Sequence, residues 1–187
     1  MCIRDRENFN SGTKIIATSG EALPPKVVRE TQEKFGDVLY NLYGSTEVSW
    51  ASIATPEDLR KHINTAGKPP MATTLKVLDD NGNELPNGEI GRIFVKNDML
   101  FEGYTRPGSD KEIIDGMVAT GDLGYYNDEG LLFISGRSDD MIVSGGENVF
   151  PQETEDVINS MDCVAESAVR GVDDPEFGQA LCAWVVP

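Results

Sequence analysis

Residues 14–44 read as strand, helix, strand, and that order restricts the fold more than any other stretch of the chain. Lys14-Ile15-Ile16-Ala17-Thr18 is a short apolar run of the kind a buried strand carries, ended by Ser19-Gly20. Pro24-Pro25 then opens a helix, because proline at the first helical position forfeits no hydrogen bond and its φ is already helical. Val27, Val28 and Gln32 fall at helical spacing, and Gly36 stops the helix after Phe35. Val38-Leu39-Tyr40 returns as a strand and runs into Asn41-Leu42-Tyr43-Gly44. Two strands joined through a helix lie parallel, because a parallel pair needs a crossover of about a dozen residues.

The pattern then changes twice. Thr55-Pro56-Glu57-Asp58 carries an N-cap, a first-turn proline and acidic residues for a short helix. From Thr74 the residues alternate: Leu75 and Val77 lead into Asp80-Asn81-Gly82, a hairpin signal. Further strands are expected at Glu89–Val95, Met117–Thr120 and Leu131–Ser135, the last two joined by the turn Asn127-Asp128-Glu129-Gly130. This middle section predicts an antiparallel, barrel-like subdomain or small sheet. After Gly136 come a hairpin (Met141–Val149), a helix from Pro151 to about Met161, and strands at Ala165–Gly171 and Ala180–Val186. The fold class is therefore α/β with α+β character: a parallel sheet edge, an antiparallel β section, then the start of a small α+β domain in which the chain stops.

Charge and cysteine content exclude several function classes. The 187 residues hold 16 Lys+Arg against 32 Asp+Glu, a net charge of −16, which repels a nucleic-acid backbone. No apolar run approaches the roughly 20 residues that span a bilayer, and the N-terminus has no apolar stretch of the secretory kind. Cys2, Cys163 and Cys182 form neither a disulfide framework nor a zinc motif, which favours a reducing cytoplasm. His62 is the one histidine, so a His-based metal cluster or triad would need a partner chain.

Five short motifs carry chemistry. Tyr43-Gly44-Ser45-Thr46-Glu47 brings an aromatic ring, a turn-permitting glycine, hydroxyls and a carboxylate to one strand end. That set suits a nucleotide with its Mg²⁺, and equally a turn with a helix cap. Thr120-Gly121-Asp122 places a carboxylate where a strand stops; it can accept from both hydroxyls of a ribose, or close an Asx turn. In Gly136-Arg137-Ser138-Asp139-Asp140, Arg137 offers a charged fork to phosphate or ribose oxygens, and the acidic pair sits where a pivot would; a solvated loop reads the same way. Ser144-Gly145-Gly146-Glu147-Asn148 allows close approach of a ligand, or makes a tight hairpin. Ser19-Gly20-Glu21-Ala22 adds a backbone edge that a nucleobase could pass along, or a helix start.

Taken in order, with Gly88-Glu89-Ile90-Gly91 between them and Asp139-Asp140-Met141-Ile142-Val143-Ser144 running to Phe150-Pro151, these motifs resemble the adenylate-forming (AMP-binding) superfamily. That superfamily comprises acyl-CoA synthetases, nonribosomal adenylation domains and luciferases. The Ser-Gly-Gly-Glu-Asn block and Pro151-x-Glu153-x-Glu155 look most like bacterial fatty acyl-CoA and aryl-CoA ligases. The resemblance runs from about Lys14 to the end. Residues 1–13 are set apart as a leader, and Met1–Arg6 does not look native. Residues 14–138 would be the C-terminal part of a large domain and 139–187 a truncated small one.

The resemblance implies roles residue by residue. Tyr43 would stack on adenine, with Gly20, Glu21 and Ala22 along its other side, Asn41 at its edge and Gly44 at the turn. Thr46 would bind phosphate and Glu47 would hold Mg²⁺ as the metal ligand. Asp122 would take the ribose hydroxyls, helped by Arg137. Asp139 would be the hinge of a domain rotation, after which Gly145 and Gly146 line the pantetheine path of coenzyme A. Trp50, Ala51 and Ala54 fall where an acyl pocket wall is expected, and the apolar core competes for them. The implied activity joins a carboxylic acid, a fatty acid in the first instance, to coenzyme A at the expense of ATP. The family's phosphate loop ending in Pro-Lys-Gly and its C-terminal catalytic lysine are not among these residues, so the chain reads as a middle fragment, nearly inactive alone. Two other readings stand beside it: an adenylation domain loading a carrier protein, and a non-catalytic remnant binding nucleotide or a partner. Homo-oligomerisation is left open.

Overall fold

The computed structural model describes residues 12–105 and 111–187. The expected leader falls almost wholly outside them.

The described residues form three open sheets with three α-helices. The first holds β1 (Ile16–Ser19), β2 (Leu39–Ser45) and β3 (Ser49–Ala54) in that order. β1 and β2 are parallel, joined through α1 (Pro25–Phe35) as the strand–helix–strand pattern predicts. β1 begins two residues later than expected. β3 returns antiparallel to β2 through the turn Thr46-Glu47-Val48. α2 (Pro56–Lys61) carries a full capping box: the Thr55 hydroxyl accepts from the Asp58 N–H, and the Asp58 carboxylate accepts from the Thr55 N–H. Val28 of α1, Leu59 of α2, Leu39 and Ala54 form one small core against this sheet.

The second sheet contains β4 (Thr74–Leu78), β5 (Gly91–Lys96), β6 (Ile113–Ile114), β7 (Met117–Tyr126) and β8 (Leu132–Arg137). It is antiparallel, as expected, but it does not close: β6 and β8 follow one another along the edge of β7 that faces away from β5. The barrel-like expectation is thus corrected to an open sheet. The Asn81-Gly82 turn does not join two paired strands directly. The Asp79 carboxylate accepts from the N–H groups of Asn81 and Asn83, both at 2.8 Å, and this coils the chain locally before β5 pairs with β4.

The third sheet, in the order β10-β9-β12-β11, uses only residues beyond 141. It holds β9 (Ile142–Ser144), β10 (Glu147–Val149), β11 (Glu166–Asp174) and β12 (Gly178–Val186), with α3 (Pro151–Asn159) between the second and third of these.

One segment fixes how the first two sheets meet. Residues 65–68 are bridged to β3 on one side and β8 on the other: Ile53 N–H and Lys68 N–H each donate to the other's carbonyl, and Ala66 N–H donates to Leu132. The buried Thr65 hydroxyl also donates to Leu132, and the buried Ser52 hydroxyl to Ala66, so no polar group is stranded at this seam. Around it Val48, Ala51, Ala66, Val77, Ile93, Val95 and Leu132 form the main core. This seam brings the end of β2 against the middle of β7.

Candidate functional site

The β2–β7 junction carries the site. The Tyr43 phenol donates to Asp122 Oδ2 at 2.6 Å, and its oxygen lies 3.2 Å from Thr120 Oγ1. The Arg137 guanidinium lies 3.6 Å from Asp122 Oδ1, because Asp122 and Arg137 are paired residues of β7 and β8. That separation exceeds a hydrogen bond, so Oδ1 keeps its acceptor capacity. The Tyr43 ring packs on the main core. Burial first, then the Asp122 charge, pushes its phenol well above the ordinary range.

Two positions correct the sequence expectation. Thr120-Gly121-Asp122 does not end a strand. In β7 these three residues stand opposite the single residue Ile93 of β5, since Ala119 pairs with Phe94 and Leu123 with Arg92. This is a β-bulge, which bends a strand and re-aims its side chains without ending it. The Thr120 hydroxyl closes the arch, donating to the Ile93 carbonyl and accepting from the Asp122 N–H. Gly136-Arg137 likewise lies within β8, and the chain turns only at the 3₁₀ segment Ser138–Asp140.

Glu47 lies in the β2–β3 turn, half-buried, and Thr46 beside it is exposed. Hydrogen bonds from Tyr104 and then Ser45 hold its carboxyl below the usual range. The Phe101 N–H donates to the Glu47 carbonyl at 2.9 Å and the Tyr104 phenol to Glu47 Oε1.

A cleft of about 2000 Å³ runs past these groups. Gly20, Glu21, Ala22, Asn41, Tyr43, Gly44, Thr46, Glu47, Asp122, Arg137 and Asp139 all line it. The Asn41 amide sits at 3.5 Å from the Thr65 carbonyl, a long contact that leaves it available to a ligand. Trp50 lines the cleft and is 54% exposed, whereas Ala51 and Ala54 are fully buried in the two cores. The pocket-wall expectation is therefore corrected for both alanines: Ala51 packs in the main core and Ala54, of opposite parity in β3, in the small core with α1 and α2. Gly145 and Gly146 form the β9–β10 turn and do not line the cleft.

Sequence reasoning missed Tyr104 and Lys111, and gave Thr120 no role of its own within the Thr120-Gly121-Asp122 motif. The Lys111 ammonium donates to the Thr120 carbonyl at 3.1 Å, and its charge is felt at Glu47. None of these roles is signalled by spacing: Tyr104 reaches Glu47 across 57 positions and Thr120 reaches Ile93 across 27, and Lys111 is brought to Thr120 only by the pairing of β6 with β7.

Among the described residues, no group of three or more His, Cys, Asp or Glu could hold a metal ion. His62 pairs instead with Glu129 at 2.8 Å. Glu47 alone still fits Mg²⁺ of the substrate-carried kind, which takes one or two carboxylates and fills its shell with phosphate oxygens and water.

The buried phenols give one test that needs no ligand. Burial also pushes the Tyr126 phenol up to about 12. A raised phenol pKa means that the fold favours the neutral form. The stabilisation is complete below pH ~10 and is lost as pH rises toward the folded value. Ultraviolet titration should show Tyr43 and Tyr126 ionising late, together with alkaline unfolding. The Tyr126→Phe variant should lose part of that alkaline transition.

The "AMP-binding enzyme" family description matches residues 3–105. A putative acyl–CoA ligase of Bacillus subtilis, YdaB, is 37% identical over 94% of this chain and 35% of its own length. The Bacillus subtilis o-succinylbenzoate CoA synthetase, solved with its acyl-adenylate intermediate, superposes with a TM-score of 0.86 at 34% identity, covering 92% of this chain and 36% of that one. The amide bond synthetase McbA of Marinactinospora thermotolerans gives 0.85 at 31%, over 92% of this chain and 36% of its own. The chain thus spans about a third of the length of the relatives it matches. A β2 tyrosine bonded to a β7 carboxylate beside one open cleft is accordingly set in a recognised framework: the chain belongs to the AMP-binding enzyme family.

Proposed function

We propose that the protein of which this chain is part is an ATP-dependent carboxylate–CoA ligase, and that these residues supply its nucleoside and cation contacts. The observation that carries the reading is the junction of Tyr43, Asp122 and Arg137 at a cleft that Glu47 also lines. In it, Tyr43 presents its ring to adenine, with the Gly20–Ala22 backbone opposite and Asn41 at the base edge. Asp122 accepts from the ribose hydroxyls. Arg137 adds a charged donor, and Thr46 one for phosphate. Glu47 is the one carboxylate offered to Mg²⁺, whose chemistry when bound is to neutralise phosphate charge.

The reaction has two halves. The substrate carboxylate attacks the α-phosphorus of ATP, and pyrophosphate leaves with the α–β bridging electron pair. The coenzyme A thiol then attacks the acyl carbonyl and AMP leaves, its proton passing to solvent. This chain's groups act by holding the nucleoside still while both displacements occur. Residues 14–138 would belong to the large domain and 139–187 to the small one. Asp139, in the 3₁₀ segment between the second and third sheets, would be the pivot. Gly145 and Gly146 would meet pantetheine after that rotation, in keeping with their place away from the cleft. We place the activity in the cytoplasm. No helix among the described residues is long and apolar enough to cross a membrane.

The substrate is put forward as a fatty acid, and the acceptor as coenzyme A. Likeness to an amide bond synthetase keeps a nitrogen acceptor as the specific competitor. The test is ATP–pyrophosphate exchange by the full-length protein across fatty, aryl and dicarboxylic acids, followed by product analysis with coenzyme A. Exchange stimulated by fatty acids, with thioester formed, is expected. Exchange with aryl acids alone would overturn the substrate, and amide or carrier-bound product would overturn the acceptor. No exchange with any acid would favour a non-catalytic nucleotide binder. The isolated 187 residues should exchange near background.

A further inference from the structure

The segment after β5 is tied to the Glu47 turn at four points. The Asn97 amide donates to the Val48 carbonyl at 2.8 Å, and its oxygen accepts from the Met99 N–H. The Ser49 hydroxyl contacts the Met99 sulfur at 3.8 Å, and the Phe101 N–H donates to the Glu47 carbonyl. The Tyr104 phenol reaches Glu47 Oε1. Asn97 and Phe101 hold the turn's backbone, and Met99 meets the Ser49 side chain. Of the four, only the Tyr104 phenol touches the carboxylate.

Packing does not account for that phenol. Phe101 packs on the main core and meets the Tyr104 ring edge-on at 4.9 Å. Tyr104 itself is 40% exposed, so its hydroxyl could be hydrated, and a phenylalanine would make the same ring contact. Its partner is Glu47.

We propose that Tyr104 is a positioning residue for Glu47: its phenol takes one carboxylate oxygen and fixes the side chain so that the other faces a divalent cation carried by the nucleotide. The inference rests on the reading of Glu47 as the cation ligand. Carboxylates that bind metals are themselves held by hydrogen bonds, and removing such a partner typically weakens metal binding ~10–100-fold.

The experiment measures Mn²⁺ binding by electron paramagnetic resonance in the presence of a non-hydrolysable ATP analogue, with adenosine binding measured separately without metal. Tyr104→Phe should weaken Mn²⁺ ~10–100-fold and leave adenosine affinity unchanged. Glu47→Gln should weaken Mn²⁺ at least as much, and adding Y104F to E47Q should cost nothing further, because the phenol acts only through the carboxylate. A purely structural tyrosine would move adenosine binding as well, or weaken Mn²⁺ equally in the E47Q background. Either result overturns the proposal. If E47Q weakens Mn²⁺ and Y104F does not, Tyr104 falls alone. If E47Q has no effect, or the unmodified chain binds no adenosine, the reading of the site falls first and Tyr104 with it.

Discussion

Replacing Gly44 with alanine is expected to break the β2–β3 hairpin and with it the Glu47 turn. A Cβ at this position would lie 1.8 Å from the Ser49 carbonyl oxygen, 2.9 Å from its carbon and 3.1 Å from the Trp50 Cα. All three are backbone atoms, so no side chain can swing aside. The hairpin has a bulge here: Tyr43 pairs with Ser52, but Gly44 pairs with Trp50. The close approach is what lets three residues turn the chain while Tyr43 stays on the core. Ordinary overpacking costs about 1–3 kcal/mol, and a backbone clash belongs at or above the top of that range. For a chain of this length each kcal/mol is worth about 2–4 °C, so melting should fall by about 10 °C or more. Val48, fully buried in the main core, would move with the turn. Gly130→Ala is the control. Gly130 lies between β7 and β8 with a left-handed φ of 70° and nothing within 4 Å of its Cβ position, so it should cost about 1–2 kcal/mol of backbone strain. If the two variants melt within a few degrees of each other, the close approach at Gly44 is not what holds the turn.

What the sequence made legible was local. The first strand, α1 and β2 could be placed because prolines, a C-terminal glycine and apolar spacing act within one element, and α2 because its capping box closes over four residues. What it left hidden depends on partners far along the chain. Gly121 and Asp122 are turn-forming residues, so Thr120-Gly121-Asp122 read as a strand end. Only the pairing of β7 with β5 reveals that the arch is a bulge inside a ten-residue strand. The barrel-like expectation failed for the same reason: alternation marks strands but not whether the last meets the first. The resemblance put Trp50, Ala51 and Ala54 together at a pocket wall, with the apolar core competing for them, and nothing in their spacing shows that Ala51 and Ala54 each meet a different core. Trp50, of the opposite parity to Ala51, does face the cleft. The candidate site residues come as a set from the family resemblance. The bonds between them, such as Tyr43 to Asp122 across 79 positions, were not.

Asp122→Ala should give the largest loss of ligand affinity. The Asp122 side chain is 14% exposed at the cleft, with Oδ2 held by Tyr43 and Oδ1 facing Arg137 at 3.6 Å. Two ribose hydroxyls would reach acceptor sites that are already oriented and partly desolvated. Hydrogen bonds to a charged acceptor are worth about 1.5–3 kcal/mol each, so losing both removes at least ~3 kcal/mol. Adenosine and ATP affinity should therefore fall by about 100-fold or more, read by calorimetry. The fold should persist, because the Tyr43 phenol retains Thr120 Oγ1 at 3.2 Å and Arg137 is half exposed and can be hydrated. Asp122→Asn should fall between, since an amide accepts through one atom only. Sugar analogues separate this from a general collapse of the cleft. The unmodified chain should bind 2′-deoxy- and 3′-deoxyadenosine each about 10-fold less tightly than adenosine, since each lacks one such bond. Asp122→Ala should bind all three alike. Were the alanine variant to keep discriminating among the sugars, the diol would have to be held elsewhere, and the pairing of Tyr43 with Asp122 would be a support for the sheet junction and nothing more.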